Sequence, residues 1–107
     1  MPDSKVITVS SEQAHQLIKN EKNLLIIDVR TLEEYRYGHL KGAMLYPVQL
    51  LPQKILGLGK YRRNPILVYC ASGGRSPSAV KILINGGFTN IYHMYQGISS
   101  WHYSLER

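Results

Sequence analysis

"ILVYCASGGRSPSA", residues 66–79, joins four consecutive apolar residues to the only cysteine of the chain, then to two glycines, an arginine and a Ser-Pro pair. An unbroken apolar run of this length predicts a strand buried on both faces, as strands of a parallel sheet are. Gly73-Gly74 loosens the backbone and permits the angles that turn several amides inward. Ser76-Pro77 reads as an N-cap followed by proline at the first helical position, where the missing N–H costs nothing. Val80, Ile82, Leu83 and Ile84 carry the helix onward, and Gly86-Gly87 closes it. Strand, short loop and helix follow one another with no spare residues.

The same alternation extends outward. Leu24–Ile27 is a second continuous apolar run and predicts another buried strand, ending in Asp28-Val29-Arg30. Before it, Val6–Val9 is a short strand. Ser10 as N-cap with Gln13 three residues on makes a capping box for a helix to about Asn20, with Ala14, Leu17 and Ile18 on one face. Thr31 caps a short helix through Tyr35 that Gly38 stops. Ala43–Tyr46 is a brief strand ended by Pro47, and Val48–Leu56 is helical, interrupted near Pro52. Asn90–Tyr95 supplies a last strand and Ile98–Tyr103 a terminal helix. Strands alternating with helices at this spacing predict α/β architecture with a mostly parallel sheet. No repeat or linker divides residues 1–107, which read as one domain.

Composition narrows the function. The chain has 107 residues, room for a single core. No apolar run reaches the roughly 18–20 residues a bilayer crossing needs, and Met1–Lys5 lacks the profile of an export signal. One cysteine excludes an internal disulfide, so a reducing, cytoplasmic setting is expected. No second cysteine stands near the four histidines, and no metal or cofactor is expected. The net charge of +6 suits anionic substrates or acidic partners. Its densest cluster, Lys60-Tyr61-Arg62-Arg63, reads as a solvated loop, and without an accompanying motif nucleic-acid binding is not expected. A monomer is.

Cys70 is either a nucleophile or an idle buried thiol, since free cysteine is often a core residue. Its position favours the nucleophile. Ligands of open parallel sheets bind beyond the carboxyl ends of the strands. The helix starting under the loop aims its positive dipole end at the sulfur, and with Arg75 this favours a thiolate. Arg75 could bind an anionic substrate or support the loop; Ser72 and Ser76 could donate to sulfur or to a bound anion. The loop lacks the Gly-Lys-Ser/Thr of nucleotide-binding loops. His15, His39, His93 and His102 have no spacing that ties them to Cys70 and read as structural or surface residues.

Three separated motifs carry a family resemblance: "LLIIDVRTLEEYRYGHLKGAMLYP" (24–47), "CASGGRS" (70–76) and "GFTNIYHMYQGISSW" (87–101). In this order and spacing they are similar to the single-domain rhodaneses. The resemblance implies a five-stranded, mostly parallel sheet with helices on both faces. It also implies sulfurtransferase chemistry: Cys70 takes the outer sulfur of thiosulfate or a similar anion as a persulfide and hands it to cyanide, a thiol or a protein. Ala71, Ser72, Gly73, Gly74, Arg75 and Ser76 are then the substrate cradle, with Arg75 the anion contact. Asp28, Arg30, Glu34 and His39 match family positions read as structural, Arg30 and Glu34 being able to pair. Trp101 reads as core packing with its indole N–H partnered. Gln96 departs from the family's Gly-Gly and reads as a turn variant.

The alternatives are a cysteine-dependent phosphatase or arsenate reductase, a docking module, and a persulfide carrier for a protein partner. Four residues separate Cys70 from Arg75, one fewer than phosphatases of this general design place there. A tetrahedral phosphate needs a wider ring of amides than one sulfur does. No carboxylate beside the loop is evident as a leaving-group acid.

Overall fold

The computed structural model describes residues 4–107. The reading of Met1–Asp3 as free of an export signal lies outside them. Five strands form one sheet in the order β1-β5-β4-β2-β3: β1 (Lys5–Val9), β2 (Leu25–Asp28), β3 (Met44–Leu45), β4 (Ile66–Tyr69) and β5 (Asn90–Met94). Every adjacent pair is parallel. Helices α1 (Ser11–Asn20), α2 (Leu32–Tyr37), α3 (Leu51–Lys54) and α4 (Ser76–Asn85) connect them.

The apolar runs become the strands because they are covered on both sides. Ile66, Leu67, Val68 and Tyr69 of β4 are all fully buried. Ile27, Ile66, Val68, Cys70 and Ile91 pack with Leu51, Ile55, Ala79 and Leu83 of the α3–α4 side. Ile26, Leu67, Tyr69 and Met94 pack on the opposite face with Ala14 and Leu17 of α1 and with Leu40 and Trp101. Period-two alternation sends neighbouring residues of one strand to the two layers. The capping box expected of Ser10 and Gln13 forms, and Thr31 caps α2 as expected, with Glu34 completing a second box that the sequence reading did not name.

Several boundaries differ from expectation. The Val48–Leu56 helix is only α3, with Pro52 in its first turn, where proline is tolerated; a 3₁₀ segment then runs over Ile55–Tyr61. The terminal helix shrinks to one 3₁₀ turn, Ile98–Ser100. There the amides of Ile98 and Ser99 bond to the carbonyls of Cys70 and Ala71, and only those of Ser100 and Trp101 turn back to the segment itself, to Gly97 and Ile98. At α4 the cap is Arg75, with Ser76 and Pro77 as the first two helical residues. Ser76 is thereby freed from capping.

The carboxyl ends of β2 and β4 are joined by a buried polar network. Asp28 and Arg30 form an ion pair at 2.7 Å, and the Arg30 Nη2 also donates to the Gly38 carbonyl. Tyr69 donates its hydroxyl to Asp28 at 2.7 Å and accepts from the Leu40 amide. Arg30 therefore pairs with Asp28, not with Glu34 as the sequence reading allowed. Two residues of separation across a strand end put the fork of the guanidinium on the carboxylate, while Glu34 points elsewhere. Tyr69→Phe would leave the Leu40 amide without its acceptor, while the Asp28 oxygen keeps its bonds from Arg30. The expected cost is about 1–3 kcal/mol of unfolding free energy, read as a lower urea midpoint with unchanged slope.

Candidate active site around Cys70

Cys70 follows the central strand and is fully covered, at 0% exposure. The loop folds over its sulfur: the Gly73 amide donates to Sγ at 3.1 Å. Gly73 has φ +96°, and a Cβ there would collide with the Tyr95 carbonyl, so only glycine fits this approach. Gly97 plays the matching part from the other side. Its φ is +73°, and a Cβ would stand 2.5 Å from the Ala71 oxygen and 2.7 Å from that of Cys70. The sequence reading noted Gly97 only for its neighbour Gln96, whose side chain is exposed.

Burial alone would push the Cys70 thiol up. The Ser76 hydroxyl and the amides of Arg75, Ser76 and Gly73 outweigh it, leaving the thiol below its ordinary value. This is the chemistry of a thiolate held by N–H and O–H groups rather than by a paired base. Ser76 is buried, with Oγ 3.4 Å from Sγ. Ala71 and Gly73 are half-buried, whereas Ser72 and Gly74 face solvent.

Arg75 is held by Glu34 of α2 through a two-pronged pair at 2.6 and 2.8 Å. That contact braces the far end of the loop against the helix that follows β2, and the sequence reading missed it. The signal was faint: by sequence Arg30 is the nearer partner for Glu34, whose carboxylate in the structure serves both the Thr31 amide and Arg75. Asp28 and Arg30 stay in their own network. His39 stacks on Tyr35 and bonds its carbonyl through Nδ1, a structural position. His15 stacks on Tyr103, and Trp101 donates its indole N–H to the Ser104 carbonyl. Lys60, Arg62 and Arg63 are exposed. His93 departs from expectation. Its Nε2 sits 2.6 Å from Ser76 Oγ, one hydroxyl away from Cys70. A cavity of about 460 Å³ between α1 and the C-terminal segment, walled by His15, Lys19, Lys41 and Trp101, includes no residue of the loop. Among the described residues, no cluster of side chains could hold a metal ion and no helix is long and apolar enough to cross a membrane.

The Arg75 hydrogen bonds hold the Glu34 carboxyl at about 2, against 4.5 for the free group. A carboxylate whose affinity for protons falls on folding adds stability above the unfolded value and loses it as pH drops through the folded one. Glu34→Gln is therefore expected to lower stability by about 1 kcal/mol near neutrality, the range for half-exposed pairs. The gap to the native chain should stay constant above pH 4.5 and close as pH falls toward 2, in melting curves recorded across that window.

The geometry agrees with what the chain resembles. A family model described as Rhodanese-like domain matches residues 10–104. A protein named sulfurtransferase from Allochromatium vinosum is 29% identical over 87% of this chain and 85% of its own length. Proteins named tRNA uridine(34) hydroxylase from Buchnera aphidicola are 32% identical over 91% of the chain, which spans only 31% of their length. A crystal structure of a rhodanese-related protein from Thermoplasma volcanium superposes with a TM-score of 0.80 at 26% identity, covering 94% of this chain and 97% of that one. Sheet order, cysteine loop and sequence likeness thus converge: the chain belongs to the rhodanese-like domain family.

Proposed function

We propose that this protein is a sulfurtransferase that carries a sulfane sulfur on Cys70, with thiosulfate or a similar small anion as donor. The observation that carries the reading is the Cys70 sulfur itself, buried among N–H and O–H donors that favour its anionic form. In the first half-reaction the thiolate attacks the outer sulfur of thiosulfate. A new S–S bond forms to Cys70, the S–S bond of the donor breaks, and its electron pair leaves with sulfite. In the second, a thiol, cyanide or a protein cysteine attacks the outer sulfur of the persulfide and returns Cys70 as thiolate. Two half-reactions through one covalent intermediate give ping-pong kinetics. The amides that hold the thiolate suit the terminal sulfur of the persulfide by the same electrostatics.

Cys70 has no exposed surface, so a donor's approach requires the cover over its sulfur to yield. The Glu34 pair leaves Arg75 bracing the loop, and an incoming anion competes with that carboxylate for the guanidinium. The name of the Allochromatium relative supports sulfur transfer. The short interval from Cys70 to Arg75 disfavours phosphate, whose oxygens need a longer ring.

Intact-mass spectrometry after incubation with thiosulfate should show the gain of one sulfur atom. Cyanide should remove it, and Cys70→Ser should never acquire it. Absence of the adduct with every sulfane donor tried, together with turnover of a phosphate ester, would overturn the proposal.

A further inference from the structure

His93 lies on β5 directly beside Val68 of β4 and Thr8 of β1. Alternation along parallel strands places it on the same face as Val68 and Cys70, under the first turn of α4. Ser76 joins the two, with Oγ 2.6 Å from His93 Nε2 and 3.4 Å from Cys70 Sγ. A serine hydroxyl has a single hydrogen to give. If His93 Nε2 is bare, it takes that hydrogen, and Ser76 can face sulfur only as an acceptor from S–H. If Nε2 carries a proton, it donates to Oγ, and the serine hydrogen is left for the sulfur. A thiolate accepts and cannot donate, so only the second arrangement serves it.

We propose that His93 is a positioning residue for Cys70: its Nε2–H donates to Ser76 Oγ and thereby commits the serine hydroxyl to the thiolate sulfur. No proton changes owner in this arrangement; the imidazole acts through the serine. Burial lowers the proton affinity of the ring, so it does this work as the neutral form. Its register partners, Thr8 of β1 and Val68 of β4, and its hydrogen-bond partner Ser76 of α4 are all uncharged. The charges near Cys70 are Arg75 of the loop and its partner Glu34 of α2. The consequence for turnover rests on the sulfur-transfer reading, whereas the orientation of Ser76 does not.

Cys70 is the only cysteine of the chain, so the pH profile of alkylation by iodoacetamide reports one thiol. His93→Phe keeps a ring but removes both nitrogens. It leaves the Ser76 hydroxyl without the donor that commits its hydrogen to sulfur, so it should shift the profile to higher pH and slow alkylation near neutrality, by less than loss of the hydroxyl itself does. Ser76→Ala should slow it by about tenfold, the worth of one hydrogen bond to a charged group, and the double variant should be no slower than Ser76→Ala alone. His93→Gln, which restores an N–H at similar reach, should recover most of the rate. A native profile in His93→Phe, or equal further slowing in the double variant, would overturn the proposal. Nitrogen NMR of the native protein tests it without any substitution. With Cys70 ionised, His93 should carry its proton on Nε2, and a proton on Nδ1 alone would refute the assignment. Neither measurement uses a sulfur donor. A shifted profile without persulfide formation would fail the sulfurtransferase reading alone, and persulfide formation with an unshifted profile would fail the role of His93 alone.

Discussion

The pairing of β4 between β2 and β5 is the constraint on which the rest of this structure depends. It buries all four residues of β4 and sets Cys70 at the carboxyl end of the sheet's middle strand. Its register with β2 puts Asp28 beside Tyr69, which is what lets the phenol reach the carboxylate. Its register with β5 puts His93 beside Val68, and so within one serine of the sulfur. A slip of one residue on either side would turn each of these side chains to the wrong layer.

The site is built from donors rather than from a paired base. Buried sulfur would ordinarily hold its proton, because low polarity penalises the anion. Here the Gly73, Arg75 and Ser76 amides and the Ser76 hydroxyl converge on one atom and reverse that preference. Convergence needs a loop whose backbone bends sharply and lies close to its neighbours. Gly73 and Gly97 allow this, each with a positive φ and each with a carbonyl where a side chain would stand. The 3₁₀ turn at Ile98–Ser100 then fastens the loop from below through the carbonyls of Cys70 and Ala71. Glu34 fastens its far end through Arg75.

Much of this was legible in the chain. The runs Leu24–Ile27 and Ile66–Tyr69 announced buried parallel strands, and α1 and α2 start where Ser10 and Thr31 placed them. The cysteine loop was legible because its chemistry is local: a strand end, two glycines and a helix start within seven residues. Contacts between distant segments were not. Glu34 and Arg75 are 41 residues apart, and Arg30 offered Glu34 a nearer partner by sequence than the one it takes. The terminal helix was overread, since its apolar spacing does not reveal that Ile98 and Ser99 give their amides to the loop.

His93 shows the boundary most clearly. Alternation along Asn90–Met94 tells which face it shares with Ile91, but not which strand lies alongside or at what register. The sequence by itself determined the α/β class, the cysteine loop and the amides that surround it, because each depends on residues close along the chain. Only the tertiary structure decided what braces the loop and what orients Ser76. Those partners come from α2 and β5, and it is the parallel sheet that brings them to the end of β4.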